Sequence, residues 1–179
     1  MNSFETTKEN SDMKINQTMR IMDIIKNSTV DGEGFRNVLF TAGCLHHCKN
    51  CHNPETWSLD SGHDMDVTEA AEKLCNGWLS NVTISGGDPF YQPNALHSLL
   101  IIIKNEYHKN VWVYTGFTYE ELINLGYDSI LESIDVLIDG LYVDELRDIN
   151  LIFKGSSNQR VIDIKETLKS GSVTLYNIQ

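Results

Sequence analysis

No run of basic residues occurs anywhere in this chain. Lys and Arg number 14 against 25 Asp and Glu, a formal net charge of −11. A nucleic-acid partner, which requires clustered cations for its phosphates, is therefore not expected. No apolar run approaches the ~20 residues of a membrane span. The start, Met1 to Asn10, is polar rather than a charged and then apolar export signal. The expected setting is the cytoplasm, away from any membrane. Four cysteines, three of them in one loop, make no disulfide framework and suit a reducing compartment. Internal repeats and low-complexity segments are also lacking.

What remains is an ordinary globular composition, 41% hydrophobic and 22% charged over 179 residues, enough for one domain with a core. Residues 1–17 are rich in Asn, Ser, Thr, Glu and Lys and read as a disordered tail, leaving 18–179 as a single domain. From Arg20 onward short β-branched runs alternate with helical patterns, the mark of an α/β fold with a parallel sheet. Strands are expected at Val38–Thr41, Val82–Ser85, Val111–Thr115, Val136–Asp139 and Val161–Ile164. A first helix places Val67, Ala70, Ala71, Leu74 and Trp78 on one face, and Asp66 with Glu69 has capping-box spacing. Cys75 in this helix reads as a small buried hydrophobe. A second helix opens near Pro93-Asn94. A third runs from Thr118-x-x-Glu121 to Gly126.

The unusual residues follow strands. Cys44, Cys48 and Cys51 form CxxxCxxC after the first expected strand, and Gly86-Gly87-Asp88-Pro89 follows the second. Thr115-Gly116 and Asp139-Gly140 follow the third and fourth. In a parallel sheet all of these reach one carboxyl edge, where α/β ligand sites lie. Three close thiolates can hold a four-iron cluster and leave its fourth iron open. A zinc completed by His46, His47 or His52 competes with that reading, as does a haem attached through Cys48-x-x-Cys51-His52 and a plain loop of reduced cysteines. Adjacent glycines let a ligand reach the backbone, or simply turn the chain.

Taken together, these motifs resemble the radical S-adenosylmethionine (SAM) superfamily. Within it they resemble the activating enzymes of anaerobic ribonucleoside-triphosphate reductase. The matching segments, in order, are Asp31-Gly32-Glu33-Gly34-Phe35-Arg36, Cys51-His52-Asn53-Pro54-Glu55-Thr56-Trp57 and Ser85-Gly86-Gly87-Asp88-Pro89. Val111 to Gly116, Val136 to Gly140 and Gly155-Ser156-Ser157-Asn158-Gln159-Arg160 follow. Glu33 stands where many relatives have Pro, and Asn50 where many superfamily members have an aromatic. The resemblance implies an incomplete, open β/α barrel. It also implies a 4Fe-4S cluster on Cys44, Cys48 and Cys51, completed by SAM. SAM contacts would come from Gly86, Gly87 and Asp88, from Asn50, Cys51 and His52 near the adenine, and from Thr115 and Asp139.

The chemistry implied is reductive cleavage of SAM, with the electron coming from a donor such as flavodoxin. The resulting 5′-deoxyadenosyl radical would take hydrogen from a backbone glycine of the reductase. Cluster and SAM would carry the reaction, with no side chain as general acid or base. A closed barrel takes roughly 250 residues, so room for about six strands implies an opening wide enough for a protein substrate. Small-molecule relatives such as the 7-carboxy-7-deazaguanine synthases typically have Asp-Thr after the third cysteine, where this chain has His52-Asn53. Formate-lyase activases share Cys51-His52-Asn53 but lack the GSSNQR-like end. A zinc-stabilised interaction module is the alternative that is not an enzyme.

Overall fold

The computed structural model describes residues 17–77 and 79–178. Trp78 and residues 1–16 of the expected tail lie outside the described residues. Gln17 is bonded at both ends: its carbonyl accepts from Val67 N at 2.9 Å, and its Oε1 from Ser98 Oγ at 2.6 Å.

Seven strands form one sheet: β1 (Thr18–Ser28), β2 (Arg36–Thr41), β3 (His63–Asp66), β4 (Asn81–Gly86), β5 (Val111–Tyr114), β6 (Val136–Asp139) and β7 (Arg160–Asp163). Their order is β3-β1-β2-β4-β5-β6-β7, and the sheet does not close. Only β2, β4, β5 and β6 run parallel. β1 and β3 are antiparallel at one edge and β7 at the other. The expected parallel sheet of about six strands thus becomes a mixed sheet of seven. The connections explain the change. Parallel neighbours need a long crossover, usually an α-helix, whereas the short turn between β1 and β2 and the loop from β6 to β7, whose only helical part is one 3-10 turn at Asp144–Leu146, send the chain back antiparallel.

Helices α1 (Val67–Cys75), α2 (Pro93–Ile102), α3 (Tyr119–Asn124), α4 (Asp128–Leu131) and α5 (Ile164–Ser170) complete the fold. α1 buries Val67, Ala70, Ala71, Leu74 and Cys75, with Asp66 accepting from Thr68 N and Glu69 N at its start. Thr118 and Glu121 cap α3 reciprocally, as their spacing predicts. Alternation along the strands sends Leu39, Val82, Ile84, Val111, Val113, Leu137 and Ile162 into the main core with the helices. Trp112, Val136, Ile138 and Val161 form a second cluster on the opposite face.

That opposite face is closed near the amino ends of the strands by Arg36, which is 1% exposed. Its Nε donates to Thr83 Oγ1 at 2.6 Å and its Nη2 to Val82 O at 2.5 Å and Asn110 Oδ1 at 3.1 Å. The guanidinium lies 5.0 Å from the centre of the Trp112 ring, and burial lowers its pKa to about 10. Tyr176 packs edge-on against Trp112 and donates to Glu33 Oε2 at 2.8 Å. Every strand end of interest therefore points the other way, toward the carboxyl rim.

Candidate metal centre at the carboxyl rim

The cysteine loop leaves β2 through Ala42 and Gly43 and is pinned at its base. Gly43 N donates to Thr56 O at 2.7 Å and Cys44 N to Trp57 O at 3.0 Å. The chain after β4 rises against the same base, with Gly87 N on Thr41 O and Asp88 N on Gly43 O, both at 2.8 Å. This approach explains the glycine pair. A Cβ on Gly86 would lie 2.4 Å from Thr41 N, and one on Gly87 would lie 2.4 Å from Gly43 O. Gly86 also holds φ +104, which favours glycine. The pair is thus spent first on backbone contact with the cysteine loop, and only its half-buried remainder faces outward.

Asp88 is the hub of the rim. It is 1% exposed and accepts from Phe90 N at 3.0 Å, Thr115 Oγ1 at 2.9 Å and Gly116 N at 2.9 Å, while His46 Nε2 lies 2.8 Å from its Oδ2. Both carboxylate oxygens are therefore engaged within the protein. His46, inside the CxxxCxxC run, packs against Phe117 and Tyr91 with centroids 4.7 and 5.4 Å away. One carboxylate thus joins the ends of β4 and β5 to the middle of the cysteine loop. Thr115 belongs to this brace. Asp139 heads a separate one, accepting from Tyr119 N at 2.8 Å and Arg160 Nε at 3.0 Å, with Glu120 on the far side of the guanidinium at 2.7 Å. These bonds, to Asp139 first, raise the Arg160 pKa.

All four cysteines are free thiols. Cys44 is buried, Cys48 and Cys51 half-buried. Burial pushes the Cys44 thiol up to about 11 and raises Cys48 as well. Among the described residues no three His, Cys, Asp or Glu side chains are grouped to hold one ion. In a four-iron cluster each thiolate would hold an iron of its own. Cys75 lies apart in α1, its thiol also raised to about 11 by burial.

Beside Cys51 opens a cavity of about 310 Å³ lined by Asn50, Cys51, His52, Tyr142, Asp144 and Arg147. That is small-molecule size. Asn50 stands at φ +54, a value asparagine tolerates, and its Nδ2 donates to Asp144 Oδ2 at 2.7 Å. Tyr142 Oη donates to Asp144 Oδ1 at 3.0 Å, and Lys49 pairs with Glu145 at 2.7 Å. The bonds from Asn50 and then Tyr142 hold the Asp144 carboxyl below its ordinary range. Of the residues expected at the site, Asn50, Cys51 and His52 line the cavity. Gly86, Gly87, Asp88 and Thr115 support the loop from below, and Asp139 stands at the next strand end. Sequence reasoning missed Tyr142, Asp144 and Arg147, which no motif marks. It weighed His46 only as a zinc ligand.

Residues 30–162 match the model of a 4Fe-4S single cluster domain family. A Vibrio cholerae protein is 38% identical over 139 residues, covering 73% of this chain and 88% of the relative. An Escherichia coli K12 protein is 37% identical over 142 residues, covering 74% and 90%. An Enterobacteria phage T4 protein is 36% identical over 138 residues, covering 74% and 86%. Each of the three is named as an anaerobic ribonucleoside-triphosphate reductase-activating protein.

Proposed function

The chain belongs to the family of anaerobic ribonucleoside-triphosphate reductase-activating proteins, and from that premise we propose that it is a radical SAM enzyme that places a glycyl radical on the reductase. Cys44, Cys48 and Cys51 would hold a 4Fe-4S cluster, leaving one iron for the amino and carboxylate groups of SAM. Bound there, cluster and SAM supply one-electron cleavage of a carbon–sulfur bond and removal of hydrogen from a backbone glycine.

The chain's own part is placement. Asp88 and His46 fix the cysteine loop on the strand ends. Outward backbone at Gly86 and Gly87 would meet the amino-acid end of SAM. Asn50 and His52, in the cavity beside Cys51, would meet the adenosyl end. Thr115 and Asp139 hold the neighbouring strand ends in register. The open sheet leaves an approach for a protein segment, and a small redox protein such as flavodoxin, in a reducing cytoplasm, would deliver the electron. The observation that carries this reading is three free thiols on one rim, next to a cavity large enough for part of a nucleoside.

The test is anaerobic electron paramagnetic resonance. With SAM, a strong reductant and the reductase from the same source, a long-lived doublet should develop. It should vanish when the reductase's radical-bearing glycine becomes Ala, while the complex still forms. Conversion of a small heterocycle, with no radical left on any protein, would overturn the proposal.

A further inference from the structure

The segment Gly155-Ser156-Ser157-Asn158-Gln159-Arg160 bears no thiol and has no part in the chemistry proposed above. Its groups reach, residue after residue, to the chain that leaves β6. Gln159 Nε2 donates to Gly140 O at 3.0 Å and Asn158 Nδ2 to Leu141 O at 2.8 Å. Ser156 Oγ, on a fully buried residue, accepts from Val143 N at 3.1 Å, and Ser157 N donates to Leu146 O at 2.9 Å. The backbone is thus gripped at 140, 141, 143 and 146. Tyr142 and Asp144 lie among these grips and Arg147, bridged to Ser156, follows the last of them; these three line the cavity beside Cys51.

Two further contacts make this more than a turn. Gln159 Oε1 accepts from Gly155 N at 2.9 Å and Ser156 N at 3.2 Å, so one side chain both closes its own loop and holds the facing one. A Cβ on Gly155 would come within 3.1 Å of Tyr142 Cδ2, so glycine is what lets the Tyr142 ring lie against the segment. A turn alone needs backbone bonds; four consecutive residues directed at one neighbouring segment serve that segment's position.

We propose that Gly155–Arg160 is a clamp that sets residues 142–147 as the second wall of the cavity, and that Gln159 is a positioning residue for the nucleoside end of SAM. The second half of this statement rests on the function proposed above. The clamp acts on the cavity wall that the cysteine loop does not supply, so it governs ligand affinity separately from cluster assembly.

The test uses the anaerobically purified holoprotein and three readouts: iron and sulfide per chain, amide hydrogen exchange, and SAM affinity. Gln159→Leu removes all three side-chain bonds at similar size. It should keep wild-type iron and sulfide, and speed exchange at 141–147 but not in β2 or β4. It should also weaken SAM binding by about ten-fold or more, the equivalent of one lost hydrogen bond. Gln159→Glu keeps the two acceptor bonds, loses the donation to Gly140 O, and should fall between. If Gln159→Leu does not fold, Asn158→Ala, an exposed side chain with its one bond to Leu141 O, gives the same reading on a smaller scale. Unchanged exchange at 141–147, unchanged SAM affinity, or loss of the cluster together with SAM would overturn the clamp. A wild-type protein that holds its cluster yet binds no SAM would refute the functional premise instead, and exchange would still decide the clamp.

Discussion

Two buried charges stand at opposite ends of the parallel strands, and they are handled differently. Arg36, near the amino ends, is met by neutral acceptors and an aromatic face, and the polar groups around it are turned inward to it. Asp88, at the carboxyl ends, is met by neutral donors and His46, and the loop it steadies carries the three thiols. Asn53 N donates to Cys51 Sγ at 3.4 Å, and backbone groups of His46 and Tyr142 reach the thiols of Cys44 and Cys48. A buried charge is tolerable only when its hydrogen bonds are complete. At the amino end that completeness closes the fold; at the carboxyl end it frames donors held ready for something else. Stability and function are thus built by one device at two addresses.

The comparison breaks most sharply at the thiols. Replacing Cys44, Cys48 or Cys51 by Ala should abolish iron binding outright while the chain still folds, because the amino-end closure does not depend on them. Cys75→Ala should keep full iron content and lose about 1 kcal/mol of stability through packing. Loss of iron in the Cys75 variant would move the metal centre away from the rim.

Arg36→Met strands Thr83 Oγ1, Val82 O and Asn110 without their donor, and should lower unfolding free energy by about 3 kcal/mol, read from urea titration. The folded fraction should carry its normal iron. A variant as stable as wild type would show that the closure is ornamental.

Asp88→Asn should cost less stability, about 2 kcal/mol, since one oxygen still accepts. Unlike Arg36→Met, it should lower iron content, because the amide presents donors to Gly116 N and loosens the loop. Gly87→Ala should act similarly, since its Cβ would press on Gly43 O. Normal iron with only SAM affinity lost would mean that Gly87 serves the ligand alone.

The smallest effect concerns acid. Burial works to raise the Asp135 carboxyl, but bonds from Lys104, Lys165 and Val111 N outweigh it and hold it below the ordinary carboxylate value. A depressed carboxylate contributes stability that is complete above its unfolded value and fades as pH falls through the folded one. Wild type should therefore lose stability faster than Asp135→Asn below about pH 4. Parallel acid limbs would remove this pair from the account.

Legibility in the sequence followed burial. β2, β4, β5 and β6 show as apolar runs because both of their faces are covered. β1 was missed because its inward Met19 and Ile21 alternate with Arg20 and Met22, and its second half, through Lys26 and Asn27, is mostly polar. β3, His63–Asp66, has no β-branched residue and exists by pairing with β1. The expected strand Val161–Ile164 ends one residue early because Asp163 accepts from Glu166 N and starts α5. Motif order also pointed to the rim, yet the partners of Asp88 lie 27, 28 and 42 residues away along the chain.

By itself the sequence determined which three thiols stand close together and where in the chain they fall. Soft thiols at fixed short spacing, free of disulfide partners and following a buried strand, are local properties that survive any packing. Only the tertiary structure decided that His46 is a brace, that the glycine pair yields to Gly43 and Thr41, and that the cavity's second wall comes from Tyr142, Asp144 and Arg147. Those outcomes rest on bonds between segments up to 94 residues apart. Such bonds are worth making only after folding has removed the competing water, and no local pattern records which distant group will be there.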